Sequence, residues 1–153
     1  MAERGSSFKD RLAEEIKDAL RSGQKIRLAT LRLLSASVKN REVELRRPVT
    51  DEEFLEVVGR EVKRRNEALE AYEKAGREDL VAREREEREI LQVYLPEQLT
   101  DEETDALVEE AVAATGASSI KELGKVMGYV MGKAKGRVDG GSVQQKARAK
   151  LEP

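Results

Sequence analysis

Tyr94-Leu95-Pro96-Glu97-Gln98-Leu99-Thr100-Asp101-Glu102-Glu103 decides how this chain is organised. Pro96 cannot continue a helix, because its ring removes a backbone N–H and clashes with the preceding turn. Four residues on, Thr100 and Glu103 have the spacing of a capping box, in which each side chain satisfies the other's orphan amide at a helix start. The stretch therefore predicts a stop, a short link and a fresh helix. It puts a boundary between an N-terminal helical domain, 1–95, and a C-terminal helical domain, 96–153.

Upstream, Thr50 and Glu53 repeat the same signature. The helix behind them carries Phe54, Val58, Val62, Leu69 and Tyr72 and runs to Gly76, with Arg65 interrupting its apolar stripe. Before it, a helix from about Gln24 bears Leu28, Leu31, Leu34, Val38 and Leu45, and ends ahead of Pro48, which pushes its predecessor out of helical backbone. A first helix is expected behind Ser7 as cap, with Phe8, Leu12, Ile16 and Leu20 on one face and Gly23 as its stop. Residues 77–95 are densely charged until Ile90, Leu91, Val93, Tyr94 and Leu95 restore an apolar run. Downstream, three short helices are expected at about 101–115, 119–135 and 141–151, separated by Gly116-Ala117-Ser118 and by Gly136-Arg137-Val138-Asp139-Gly140. Nothing alternates as a strand would. The fold class is all-α: an N-terminal long-helix hairpin or bundle, then a small three-helix domain.

Composition agrees with that reading. Hydrophobic and charged residues each make up 39% and aromatics 3%, which suits helices with aliphatic stripes and Glu/Lys/Arg outer faces. Cysteine is absent, excluding disulfides, thiolate metal sites and a Cys nucleophile. Histidine is absent too, which removes the usual general base and the commonest transition-metal ligand. No apolar run approaches the roughly 18 residues of a membrane span, and Met1 to Lys9 has no signal-like hydrophobic stretch. A cytoplasmic address, with no membrane contact, is the expectation.

The net charge of −2 conceals a polarised tail. Residues 97–118 hold seven acids and no Lys or Arg, whereas residues 119–153 hold eight bases against three acids. Within that basic part, the expected helix 119–135 places Ile120, Leu123, Met127, Val130, Met131 and Ala134 on one face, with Gly124, Gly128 and Gly132 beside it. A glycine inside a helix costs about 1 kcal/mol relative to alanine, so three in register ask for a reason. Two reasons are open: close packing of a neighbouring helix, or a bare groove for a ligand backbone. On a helical projection Lys121, Lys125 and Lys135 fall on or beside the strip. A bare strip edged by lysines suits a phosphodiester backbone, and the basic surroundings favour that reading. Burial of the three glycines under another helix would decide for packing.

Two weaker signals accompany it. The turn Gly136 to Gly141 leads into the last helix, whose free amides could take a phosphate, but Asp139 is better placed to cap that helix itself. Lys25, Arg32, Lys39 and Arg46 recur every seven residues and form one basic ridge, since a heptad drifts only about 20° on a straight helix. That ridge reads first as a solvated face, or as a partner for acids in 77–89. For catalysis, carboxylate pairs, a Ser–Lys arrangement or carboxylate-bound magnesium remain. The carboxylate runs Asp51-Glu52-Glu53 and Asp101-Glu102-Glu103 are accounted for by helix starts. Ser118-Ser119 reads as an N-cap, and no phosphate loop or dinucleotide fingerprint is present. No catalytic residue, cofactor or metal ligand is assigned, and an active site within this chain alone is not expected.

Several stretches together resemble a known family. Arg27 to Leu34 (RLATLRLL), Lys39 to Glu44 (KNREVE), Glu73 to Leu80 (EKAGREDL), Tyr94 to Leu99 (YLPEQL), Thr115 to Ser118 (TGAS) and Gly124 to Gly128 (GKVMG) are similar to the YqeY family over nearly the whole chain. The resemblance implies an all-helical protein whose C-terminal part is similar to the tail of the B subunit of the tRNA-dependent amidotransferase. In that enzyme the tail is associated with recognising the tRNA body, while amide transfer takes place elsewhere. The label of a carbon–nitrogen ligase using glutamine as amide donor follows the tail by homology, and fold does not carry an active site with it. By position, the tail's RNA-facing part falls on Lys121, Gly124, Lys125, Gly128, Gly132, Lys133, Lys135, Arg137 and Lys146. One departure stands out: where the family commonly has a lysine after Asp-Gly, this chain has Gly141. The expected function is therefore a non-catalytic, tRNA-associated protein. An accessory of an amidotransferase, or a helical protein-interaction module using the 54–72 stripe, are the alternatives.

Overall fold

In the computed structural model, which describes residues 7–152, the regular elements are helices and no strand occurs among the described residues. They are α1 (Ser7–Arg21), α2 (Lys25–Leu45), α3 (Asp51–Lys74), α4 (Glu78–Gln92), α5 (Asp101–Thr115), α6 (Leu123–Lys133) and α7 (Gly140–Leu151), with a 3-10 turn at Ile120–Glu122 before α6. The chain divides into two units, Met1–Leu95 and Pro96–Pro153.

In the first unit α3 and α4 make the most extensive helix pairing, joined through the turn at Gly76, and α1 and α2 pack on them. The core is aliphatic (Leu12, Leu31, Leu34, Val38, Val58, Leu91) around one aromatic group. There Phe54, fully buried, stacks on Phe8 with ring centroids 5.6 Å apart and meets Tyr94 at the same distance. Arg11 lies 4.6 Å above the Tyr94 ring. Burial raises the Tyr94 hydroxyl above its ordinary value.

Two details of α1 differ from the sequence expectation. Ser7 is itself helical, and its hydroxyl donates to Asp51 Oδ2 at 3.0 Å, so it ties α1 to the start of α3. The buried line runs Phe8, Leu12, Ile16 and then Ala19, whereas Leu20 is 59% exposed. A spacing of four overshoots the helical repeat of 3.6, and after three steps the face has turned by about 120°.

Arg65, read as an interruption of the α3 stripe, is drawn inward by Glu61 one turn earlier, Nη1 to Oε1 at 3.3 Å, and both side chains are largely buried. The stripe itself is occupied within the unit: Phe54, Val58, Val62 and Leu69 are all buried. It is no free docking face, which corrects the expectation placed on residues 54–72.

The α2–α3 corner is an acid-sensitive clamp. Glu42 accepts from Lys9 Nζ at 2.8 and 2.9 Å and from the Val49 amide at 2.9 Å. Although burial pushes its carboxyl up, these bonds hold it below the usual value. Beside it Thr50 and Glu53 form the expected capping box, and Glu53 takes both Arg47 guanidinium nitrogens, at 2.6 and 2.8 Å. The Arg47 hydrogen bonds, then the Thr50 amide, lower the Glu53 carboxyl from 4.5 to about 2. A carboxyl depressed by folding adds stability that is present above its unfolded value and is lost as pH falls through its folded one. Urea midpoints should therefore decline as pH drops from about 4.5 toward 2, and Glu53→Gln should flatten that decline. An unchanged pH slope in the variant would remove Glu53 from the account.

In the second unit α5, α6 and α7 enclose a core of small side chains: Val108, Ala111, Val126, Val130, Val143 and Ala147. Such side chains let helices approach closely without aromatics, in keeping with the sparse aromatic content. Thr100 and Glu103 form the second capping box, at the start of α5. The Pro96–Leu99 link is stitched to the turn after α6: the Leu99 amide donates to the Arg137 carbonyl at 2.9 Å, and Gln98 Nε2 to the Gly136 carbonyl at 2.7 Å. Gly136 adopts φ +77°, a left-handed conformation that glycine reaches without steric penalty.

Candidate nucleic-acid interface

The glycine–lysine segment is not one helix over 119–135. It opens with the 3-10 turn containing Lys121 and ends at Lys133, so Lys135 sits in the following turn and the single projection does not hold for either lysine. Ser119 flanks the turn without a side-chain capping bond, while the Ser118 amide donates to Glu122 Oε2 at 3.2 Å. The buried line of α6 is also rotated from the expected one. Val126, Val130 and Ala134 face the core, whereas Ile120 is 37% exposed and Leu123, Met127 and Met131 are only partly buried. Val126 was the residue missed: it lies one turn before Val130, on the side of α6 that turns inward.

This rotation sets Gly124, Gly128 and Gly132 on the side of α6 facing away from the core. All three are exposed, and within the unit a Cβ built on any of them would meet nothing within 4 Å. Close helix packing within this unit therefore does not account for them. From Gly124 to Gly132 the bare strip runs about 12 Å at the helical rise.

The nine candidate residues divide into two groups. Lys121 and Lys125 are exposed and make no hydrogen bond or ion pair among the described residues; Lys125 lies on α6 beside the three open glycines, and Lys121 lies in the turn that leads into it. Lys135 is exposed as well. The other three cations are engaged within the unit. Lys133 bonds Glu110, which also accepts from the Tyr129 hydroxyl at 2.8 Å. Lys146 reaches Asp105 at 2.9 Å and Asp101 at 3.1 Å with its side chain only 18% exposed. Arg137 Nε donates to the Glu97 carbonyl at 2.8 Å. These bonds hold both lysines in the charged form: Glu110 raises Lys133, and Asp105, then Asp101, raise Lys146.

The charge split seen in the sequence thus has a structural use. Lys150 pairs with Glu109 at 2.7 Å, so Asp101, Asp105 and Glu109 on α5 face Lys146 and Lys150 on α7 as a ladder. The acidic run and part of the basic run neutralise each other by folding together. Arg148 on α7 was counted among the bases but not singled out; it is exposed and makes no ion pair among the described residues. Asp139 caps α7 as expected, accepting from the Ser142 amide at 3.1 Å, which leaves no vacant anion site there.

Among the described residues no three carboxylates converge as metal ligands, and no helix is long and apolar enough to cross a membrane. In a depression at the α3–α4 corner, lined in part by Tyr72, Glu73, Arg77 and Arg85, both arginines are paired, Arg85 with Glu73 and Arg77 with Asp79.

What these features define is an all-helical protein of two units, with an open, glycine-lined cationic strip as its best-formed candidate surface. A family model described as "Yqey-like protein" matches residues 9–151, and the chain belongs to the YqeY family. It is also similar to proteins named "Altered inheritance of mitochondria protein 41, mitochondrial". The one from Pyrenophora tritici-repentis is 33% identical over 104 residues, covering 67% of this chain and 58% of that protein. The one from Eremothecium gossypii is 29% identical over 85 residues, covering 55% of this chain and 46% of that protein. The aligned part amounts to about half the length of these relatives.

Proposed function

We propose that the protein is a non-catalytic, tRNA-associated factor whose Pro96–Pro153 unit contacts the phosphate backbone through the α6 strip. The observation that supports this most is the openness of Gly124, Gly128 and Gly132, three helix-weakening residues with nothing of their own unit above them. Lys121 and Lys125 supply unpaired charge at the strip, whereas Lys133, Lys146 and Arg137 serve mainly to hold the unit together.

Binding of bulk tRNA to the full chain, followed from about 50 to 200 mM salt, tests this reading. Lys121→Ala/Lys125→Ala is expected to lower the slope of log affinity against log salt by between one and two, near 0.7–0.9 per lost phosphate contact. Equal affinities in wild type and variant, or binding indifferent to salt, would sink the proposal.

A second reading, an accessory of glutamine-dependent amide transfer, is supported by the resemblance to the amidotransferase B-subunit tail. Assay of amide transfer on Glu-tRNA by a separate amidotransferase, with and without this protein, decides it. No change in rate or yield removes that role.

A further inference from the structure

The α2 helix is buried on one side only. Leu31, Leu34 and Val38 face the core, while the opposite side holds two of the most exposed large apolar residues of the protein, Leu33 at 51% and Val43 at 72%. These two do not stand alone. Leu33 belongs to a heptad series with Ile26 and Asn40, and Val43 to a second series with Ala29 and Ala36, three residues further on. Interleaved steps of three and four are the a and d positions of a coiled-coil seam. All of these but Ile26 are exposed, and Ile26 is partly so.

One flank of this seam is the basic ridge, and the structure answers what the ridge does inside the molecule. Lys25, Arg32 and Lys39 occupy g positions and Arg46 follows α2 as its left-handed cap residue. All four are exposed, and none of their side chains makes a hydrogen bond or ion pair among the described residues, although the Lys39 charge helps to lower the Glu42 carboxyl. None of the acids of 77–89 bonds the ridge; among them Asp79 pairs with Arg77 and Glu87 with Arg83. The other flank holds Ser37, partly buried, and Glu44, already bonded to Arg41 at 2.8 Å, while Thr30 at the first e position is buried.

We propose that this face of α2 docks an amphipathic helix of a partner protein that carries acidic residues beside its apolar stripe. The alanines at d permit close approach, Leu33 and Val43 supply the buried contacts, and Asn40 at an a position selects a polar residue opposite it. The ridge then selects acidic flanks, because e and g charges set partner choice. A second copy of this chain is a poor occupant. Antiparallel pairing of two such seams would set ridge against ridge, and parallel pairing would offer the ridge only Glu44. This inference is independent of the tRNA reading, since it concerns the other unit.

The test uses the full chain and two synthetic helices of about four heptads. Both carry Leu at a and d with Asn opposite Asn40; one has Glu at e and g, the other Lys. The acidic helix is expected to bind about tenfold or more tightly than its basic twin. Arg32→Glu/Lys39→Glu should invert that preference, and Leu33→Asp should abolish binding while leaving the thermal melt unchanged, since Leu33 packs outside the core. Val43→Asp serves in its place if Leu33→Asp melts early. Failure of the acidic helix to bind overturns the proposal. So does self-association in sedimentation that Leu33→Asp abolishes, which would make a second copy the occupant. Loss of tRNA binding in Arg32→Glu/Lys39→Glu, with the acidic helix unaffected by either variant, would assign the ridge to nucleic acid instead.

Discussion

Phe54→Ala should destabilise the Met1–Leu95 unit by about 3–5 kcal/mol, a large part of the 5–15 kcal/mol that ordinarily holds a domain together. Phe54 is fully buried and is the ring through which Phe8 of α1 and Tyr94, beyond α4, meet. Removing its ring deletes both aromatic contacts at once and leaves a cavity at the centre of the core. Residue-resolved hydrogen exchange during denaturation measures the effect. Amides of α1 to α4 should lose protection, while those of α5 to α7, which have their own core, should keep theirs. A loss under about 1 kcal/mol would mean that the aromatic group is not the centre of this core.

Gly124→Ala/Gly128→Ala/Gly132→Ala should move stability and binding in opposite directions. None of the three has positive φ, and an added methyl meets nothing within the unit, so each substitution removes a helix penalty without creating a clash. The full gain is near 1 kcal/mol for an interior position and smaller near the ends of α6, or about 2 kcal/mol in all. Thermal unfolding of the second unit should rise accordingly. If the strip receives a phosphate backbone, tRNA affinity should fall although the protein has become more stable, because three methyl groups then stand where the backbone has to approach. A more stable protein with unchanged tRNA affinity would take the strip out of the interface.

Much of the fold was legible because the signals are local. The two capping boxes and Gly23 and Gly76 bound helices within a residue or two, and Pro48 and Pro96 follow the ends of α2 and α4 by three and four residues, since each acts through the backbone of its own turn. Leu31, Leu34 and Val38 were read correctly because the spacing of three and four follows the helical period. Leu20 was misplaced because a strict spacing of four does not, and Val126 was passed over because Met127 and Met131 outweighed it in apolar character but not in position.

The candidate site was harder to read. Sequence alone collected Lys121, Lys125, Lys133, Lys135, Arg137 and Lys146 as one basic set, because charge can be counted along a chain but pairing cannot. Lys133 and Lys146 lie 23 and 41 residues from the acids they bond, Glu110 and Asp105, and nothing local signals either pair. The same holds for the α2 ridge, whose heptad spacing was visible while the absence of ion pairs from its side chains was not.

The three glycines show where the division falls. Composition and periodicity determined that the protein is helical, that Pro96 separates two helical stretches, and that a helix carries glycines at 124, 128 and 132, because helix formation is governed by neighbours within about four residues. Whether those glycines lie under another helix or open to solvent depended on which way α6 rolls onto α5 and α7. Val126 and Val130 settle that roll by turning into a core made by residues from 108 to 151, and only the tertiary structure brings those together.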